Sequence, residues 1–236
     1  MEVIEDIKEG YITDYISGIQ VKATPEETQA TQIFSKSLVE DYGYPKDLIQ
    51  TRPQLRLKRC PSDPNDKYPI DIAIFNNESK ALNSLYIIVE CKQKTRKDGL
   101  EQLKTYLSLS SAKLGVWFNG EERLFLQKII SEEGLEFVEI PNIPQYGQGI
   151  EDIGLYKRKD LKVTHNLKSI FRSIRNHLAG NFSGATRDEE LAKEIINIIF
   201  CKLYDEKYTP LEDIVNFRSG VSEKKSVVKK THIRAF

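Results

Sequence analysis

Residues 69–93 read PIDIAIFNNESKALNSLYIIVECKQ, and the fold turns on how this stretch is read. Asp71 stands beside a short apolar run. A polar connection follows, and a second run, Leu85 to Val89, ends in Glu90, Cys91 and Lys92. Apolar runs of this length bounded by turn residues read as buried strands. Side chains alternate faces along a strand, so Glu90 and Lys92 point to one side and Cys91 to the other. A buried strand ending in a carboxylate and an ammonium on one face needs compensation, because unpaired charge near a core costs several kcal/mol. A divalent metal held by Asp71 and Glu90, with Lys92 beside it, would supply it.

Outward from this stretch, Lys94 to Asp98 is a charged turn, and residues 99–111 form a helix with Leu100, Leu103 and Leu107 on one stripe. Gln102 and Tyr106 neighbour each other on an adjacent stripe. By spacing alone they read as a half-buried tyrosine with a glutamine on its rim. Upstream, Leu48 to Arg59 reads as the first core strand, with Gln54, Arg56 and Lys58 alternating against Leu55 and Leu57. Cys60 to Lys67, rich in Pro, Asp and Asn, reads as a loop. Downstream, Leu114 to Phe118 is a short strand, and Asn119-Gly120 signals a hairpin into Arg123 to Ile130. The sum is an α/β layer arrangement, a twisted mixed sheet of about four or five strands flanked by helices.

Asp71, then Glu90-x-Lys92 at the end of the next strand, then Gln102 and Tyr106 as Q-x-x-x-Y on the following helix, resemble the PD-(D/E)xK nuclease core. Within it they are similar to the nuclease domain at the N-terminus of type I restriction enzyme R subunits. The words DYISGIQVKATPEE, DIAIF, IIVECKQ and LEQLKTYLSLSSAKLGVWFNG carry the likeness from residue 11 to about residue 130. The resemblance implies a restriction-endonuclease-like fold and a metal-dependent DNA endonuclease of a restriction-modification system, serving phage defence and using Mg²⁺ or Mn²⁺. It implies Asp71, Glu90 and Lys92 as catalytic residues, with Gln102 and Tyr106 orienting Lys92 or a DNA phosphate. The metal ligands it implies are Asp71, Glu90 and the Cys91 carbonyl. In the resembled family an acidic residue on the first helix assists the metal or its water, and Glu27 is the candidate here. Implied partners are double-stranded DNA and the methyltransferase and specificity domains or subunits of a restriction system.

Phosphodiester hydrolysis needs an activated water and neutralisation of charge on the phosphate, which metal ions held by carboxylates supply. Mg²⁺ keeps several waters and takes few protein oxygens, which suits so small a set of ligands. Arg56, Lys58, Lys94, Arg96, Lys97 and Lys104 are candidate phosphate contacts, against the plainer reading of scattered lysines as solvated surface. The competing readings make Asp71 a loop-to-strand cap and Glu90–Lys92 a rim ion pair, or keep the fold as a catalytically silent DNA-binding or assembly module.

The rest of the chain bounds these readings. It has 236 residues, 39% hydrophobic and 30% charged, with Lys and Arg balancing Asp and Glu, so no global basic footprint marks a DNA-coating protein. No apolar run is long enough to span a bilayer, and the start MEVIEDIKEG is not signal-like. Cys60, Cys91 and Cys201 are widely spaced and read as the reduced thiols of a cytoplasmic protein, not a zinc site. Tyr11 to Val21 reads as a small hairpin or edge strand. Thr24-Pro25-Glu26-Glu27 opens a helix, with Thr24 as N-cap and Glu27 closing a capping box, a role that competes with its reach towards a metal. Ala30, Ile33, Phe34, Ser37 and Leu38 mark its buried face, and Gly43-Tyr44-Pro45 ends it.

Residues 131–157 carry several Pro and Gly and little periodicity, which reads as the edge of one domain and a linker. The expected division is an endonuclease-like domain over 1–150, a linker over 151–163 and a helical segment over 164–236. In that segment Leu167, Ile170, Phe171, Ile174 and Leu178 follow helical spacing, residues 181–184 break it, and Thr186 to Glu189 form a second capping box. The helix it opens points Leu191, Ile195, Ile198, Ile199 and Leu203 inward. NLKSIFRSIRNHLAG and EIINIIFCKLYDEK resemble the helical segment preceding the catalytic domain of N6-adenine DNA methyltransferases, and the chain reads as a fragment of a longer protein. His165, His177 and His232 lack metal spacing, and the Lys224-Lys225 and Lys229-Lys230 pairs read as solvated.

Overall fold

The computed structural model describes residues 7–58, 68–161, 163, 167, 170–172, 174–176 and 188–221. The chain divides into two compact units, Met1–Gly147 and Gln148–Phe236.

In the first unit a hairpin of β1 (Tyr11–Thr13) and β2 (Gln20–Lys22) precedes helix α1, a wide π-helical turn over Glu27–Thr31 that runs into an α-helix over Gln32–Glu40. Strands β3 (Ile49–Gln50), β4 (Arg56–Leu57), β5 (Tyr68–Pro69), β6 (Ile72–Phe75) and β7 (Leu85–Cys91) follow. Helix α2 (Leu100–Ser108) then leads to β8 (Leu114–Phe118), β9 (Arg123–Ser131) and β10 (Gly134–Ile140). Six strands form one mixed sheet in the order β10-β9-β8-β7-β6-β3. Every neighbour pair is antiparallel except β7 and β8, which are parallel and joined through α2.

The central strands are apolar along their whole length (IAIF, LYIIVEC and LGVWF) because helices cover both faces of the sheet. Gly115 on β8 faces α2, where a Cβ would meet Leu107 Cδ1 at 2.7 Å. Phe118, on the other face, packs its ring 5.2 Å from Phe34 of α1. The sheet is thus the middle of three layers, and the ends of β6 and β7 lie between the two helices.

Three details of the first unit differ from the sequence reading: the break in the first core strand, the number of strands and the face of α1. Leu48 to Arg59 is not one strand: β3 pairs with β6 in the main sheet, whereas β4 pairs with β5 in a separate two-stranded piece. Pro53, with no N–H to give a ladder, stands at the break. The main sheet has six strands, since β10 pairs with β9 from Gly134↔Ser131 to Ile140↔Phe125. As an edge strand with mostly exposed side chains, β10 carries no buried-face pattern to read. Residues 141–147 fold back on this unit, with the Tyr42 hydroxyl donating to Asn142 Oδ1 (2.6 Å) and the Tyr44 hydroxyl to the Pro144 carbonyl (3.1 Å). On α1 the wide turn shifts the helical phase, so Thr31 and Ser35 are buried with Ala30, Phe34 and Leu38, while Ile33 is 48% exposed.

The second unit contains α3 (Asp188–Tyr208). Leu191 and Cys201 are buried, but Leu203, expected inward, is 54% exposed. Buried Asp205 accepts bonds from Thr209 Oγ1 (2.7 Å), Asn216 Nδ2 (3.0 Å) and the Phe217 N–H (2.7 Å), which folds residues 209–217 back on the helix end. Residues 151–161, read as linker, are held within this unit. Arg158 donates to the Thr209 carbonyl (2.8 Å), Val215 N–H donates to the Tyr156 carbonyl (3.1 Å), and Lys159 pairs with Glu212. Residues 167, 170–172 and 174–176 are helical. Leu178, the break at 181–184, Thr186, the three histidines, Cys60 and the C-terminal lysine pairs lie outside the described residues. No helix among the described residues is long and apolar enough to cross a membrane.

Gly115 gives the packing test. Gly115→Val fills the space taken by Leu103 and Leu107 and should cost about 1–3 kcal/mol through overpacking. Urea unfolding should show a lower midpoint with an unchanged slope.

Candidate active site

The register Ile72↔Val89 between β6 and β7, extended by one residue, brings Asp71 opposite Glu90. Asp71 Oδ2 accepts the Cys91 backbone N–H at 2.8 Å, and its Oδ1 accepts the Gln54 amide at 3.2 Å. The Lys92 N–H donates to the Phe118 carbonyl at 2.9 Å, which carries the parallel pairing one residue past β7. The Lys92 ammonium forms an ion pair with Glu90 Oε1. Glu90 and Lys92 are both buried, and Cys91 turns the other way, its thiol facing Thr31 of α1.

Burial dominates the electrostatics. It raises the carboxyl of Asp71 above its ordinary range, against the bond from Cys91 and the charges of Lys92 and Arg52. It raises Glu90 as well, and the facing Asp71 charge adds to this, so together they outweigh the pull of Lys92. Burial acts to lower Lys92, but its contact with Glu90 prevails and holds its ammonium pKa above the ordinary value. Two carboxyls and one ammonium thus meet at the strand ends, and a cation brought to the carboxyls would favour their ionised form.

Glu90 Oε2 is buried and has no hydrogen-bond partner among the described residues. An orphaned carboxylate oxygen in a core is costly unless a cation meets it. Glu90 and the facing Asp71 present oxygen donors, which fit a hard divalent ion such as Mg²⁺ or Mn²⁺ better than zinc. Among the described residues no group of three or more His, Cys, Asp and Glu could hold a metal ion. An ion here would therefore complete its shell with backbone carbonyl and water oxygens, as Mg²⁺ commonly does. The Cys91 thiol is no alternative ligand, because complete burial raises it well above the ordinary thiol value.

The other expected residues take different places. The Gln102 amide N–H donates to the Tyr106 hydroxyl. Tyr106 is buried with its ring against Tyr68, and its hydroxyl is pushed up to about 12 by burial, with Glu90 and Asp71 adding to the shift. The capping box is half made: Glu27 N–H donates to Thr24 Oγ1 (3.2 Å), but the Glu27 carboxylate turns to Arg52 (2.6 Å) and Gln32 (2.7 Å). Glu26, which sequence reasoning passed over, is the helix carboxylate whose charge acts on Asp71, Glu90 and Lys92 together. Gln54 and Arg52 were missed as well. They stand around a break that the strand pattern did not show. Of the expected DNA contacts, Lys94 faces Glu121 (3.8 Å), Lys97 faces Glu122 (3.3 Å), Lys104 pairs with Glu101 (2.7 Å) and Arg96 pairs with Asp98. Arg56 and Lys58 are exposed.

With this geometry in place, comparison with known proteins gives one finding. Residues 25–144, just over half of the chain, match the family described as Type I restriction enzyme R protein N terminus. No curated protein matches the chain. The matched segment runs from the start of α1 past the end of β10 and so contains Asp71, Glu90, Lys92, Gln102 and Tyr106.

The raised carboxyls set a pH test. A carboxyl whose folded pKa lies above its unfolded value contributes stability at low pH that is lost as pH rises through the folded value. Without metal, the unit should therefore lose stability as pH climbs from the ordinary carboxylate range to about 7. A bound cation opposes this, so added Mn²⁺ should raise the melting temperature by a few degrees at pH 8 and hardly at pH 5. Asp71→Asn should abolish the gain at both, read by calorimetric melting with and without the ion.

Proposed function

The chain belongs to the family of the type I restriction enzyme R protein N terminus, and from that premise we propose that its first unit is a metal-dependent DNA endonuclease domain of a restriction-modification system. The observation that carries the proposal is the cluster of partly buried Asp71 with buried Glu90 and Lys92, in which Glu90 Oε2 has no hydrogen-bond partner among the described residues. A Glu–Lys ion pair serving only stability would not need a second carboxylate facing it, since that carboxylate adds repulsion. Two facing carboxyls with raised pKa values are instead what a site for a divalent cation requires, since the cation favours their ionised form.

In this reading Asp71, Glu90 and the Cys91 carbonyl hold Mg²⁺ or Mn²⁺. When bound, the ion supplies Lewis acidity and lowers the pKa of water. The Cys91 N–H and the Gln54 amide keep the Asp71 carboxylate in one orientation. The Lys92 ammonium orients the attacking water or meets a non-bridging phosphate oxygen, staying protonated because Glu90 lies against it. Tyr106 and Gln102 form the wall next to the two carboxylates and approach the phosphate from α2. Glu26 rather than Glu27 is the first-helix carboxylate that assists, with Arg52 holding Glu27 aside. Double-stranded DNA is the substrate, approached by Arg56, Lys58, Lys94, Arg96, Lys97 and Lys104. The helical unit resembles the segment ahead of N6-adenine DNA methyltransferases, and we assign it to contacts with the modification part of such a system.

The test is nicking of supercoiled plasmid with Mg²⁺ or Mn²⁺, wild type against Lys92→Met. Removing one preorganised charge from a transition state should lower the rate on the order of a hundredfold or more. Metal binding by calorimetry should persist, because Asp71 and Glu90 remain. Equal cleavage by both proteins would remove Lys92 from the mechanism. A wild type that binds metal and DNA but leaves the plasmid intact would favour the silent binding module.

A further inference from the structure

Gly99 and Trp117 have no role in the chemistry above, yet Gly99 lies against Lys92 and Trp117 stands beside Glu90 in the sheet. Trp117 pairs with Glu90 in the parallel register of β7 and β8, so its ring lies on the sheet face that carries Glu90 and Lys92. Its indole N–H donates to the Asp98 carbonyl at 2.8 Å. That bond holds the last residue of the turn after β7. The Asn119 side-chain amide holds the earlier part through the carbonyls of Lys94 (3.4 Å) and Arg96 (3.2 Å).

Gly99 comes next, at φ +100, as the N-cap of α2, and its carbonyl accepts the Leu103 N–H at 2.9 Å. A Cβ at this position would fall 2.7 Å from Lys92 Cε, 3.3 Å from Trp117 Nε1 and 3.5 Å from Glu90 Cγ. The positive φ alone favours glycine. The contact with Lys92 is a second and separate demand. The backbone at Gly99 closes over the last methylene of Lys92, and the clashing atom is the movable end of that side chain. An added methyl would therefore displace the ammonium from Glu90 and leave the sheet in place.

We propose that Gly99 and Trp117 are positioning residues for Lys92: Trp117 pins the Asp98 carbonyl, the pinned turn sets Gly99 over the Lys92 chain, and the bare Gly99 backbone keeps the ammonium seated on Glu90. The inference rests on Lys92 belonging to a cleavage site, but the seating of its side chain can be measured independently of cleavage.

The experiment reads both. The full chain is reductively methylated under limiting formaldehyde, and each lysine is followed by peptide mass spectrometry. The proteins are wild type, Gly99→Ala, Trp117→Phe and two controls. Gly10→Ala carries a similar backbone strain at φ +76, where a Cβ meets nothing within 4 Å. Leu107→Val loosens the core under α2 without touching the turn. Lys92 is 7% exposed and should be protected in wild type and both controls, then react severalfold faster in Gly99→Ala and Trp117→Phe. Plasmid cleavage should fall about a hundredfold in the same two variants, the scale expected for a misplaced catalytic group. Their Mn²⁺ affinity by calorimetry should match wild type, which a general loss of structure would not allow. Lys92 as protected in both variants as in wild type overturns the proposal, whatever the plasmid assay gives. A wild type that never cuts, with Lys92 unseated in both variants, sinks the nuclease reading and upholds the clamp.

Discussion

The structure depends on how two carboxylates and one ammonium are kept together out of water. Asp71, Glu90 and Lys92 stand at the ends of two central strands, Glu90 and Lys92 buried and Asp71 partly so. Each charge is costly alone, and the arrangement holds because each has a particular partner. Lys92 meets Glu90, and Asp71 accepts a backbone N–H from the neighbouring strand. Glu90 Oε2 is the exception, since it has no hydrogen-bond partner among the described residues.

The sheet topology makes this geometry possible. β6 runs antiparallel to β7, which puts the first residue before one strand beside the last residues of the other. β7 runs parallel to β8, so the chain must cross over between them, and α2 lies directly after the charged turn. The crossover therefore brings its N-terminus back over Lys92. Two glycines allow the close approach: Gly115 lets Leu103 and Leu107 sit down on β8, and Gly99 lets the helix start pass over the ammonium. Backbone proximity of this kind is affordable only where no Cβ intervenes.

Around the site the charges are arranged in local pairs. Lys94, Arg96, Lys97 and Lys104 each face a nearby carboxylate, in keeping with a chain of balanced net charge. Exposed pairs of this kind contribute little to stability and exchange partners readily. A phosphate can replace Glu121, Glu122 or Asp98 at small cost, so the pairing is compatible with a DNA-facing surface. Buried Asp14 shows the opposite case. Thr51, Ser17 and Gln32 all donate to it, its carboxyl is held below the ordinary range despite burial, and Gln32 passes the connection on to Glu27 and Arg52.

Much was legible in the chain alone. The apolar run that follows Asp71 and the one that ends in Glu90-x-Lys92, the helix carrying Gln102 and Tyr106, and the hairpin after Phe118 all have local signals, because strand alternation and turn chemistry are properties of adjacent residues. The break at Pro53, the edge strand Gly134–Ile140 and the shifted face of α1 were not legible in the same way. An exposed edge strand carries no burial pattern, and a π-helical turn changes the phase that a regular helix would predict. The sequence by itself determined which residues carry the charge and that Glu90 and Lys92 share a face at a strand end, since spacing along one strand sets that face, whereas the strand register brings Asp71 opposite Glu90. Only the tertiary structure decided that the Glu27 carboxylate turns to Arg52 and Gln32, that Glu90 Oε2 has no hydrogen-bond partner among the described residues, and that the Gly99 backbone lies against Lys92. Those facts depend on distances between segments far apart in the chain, which no local pattern encodes.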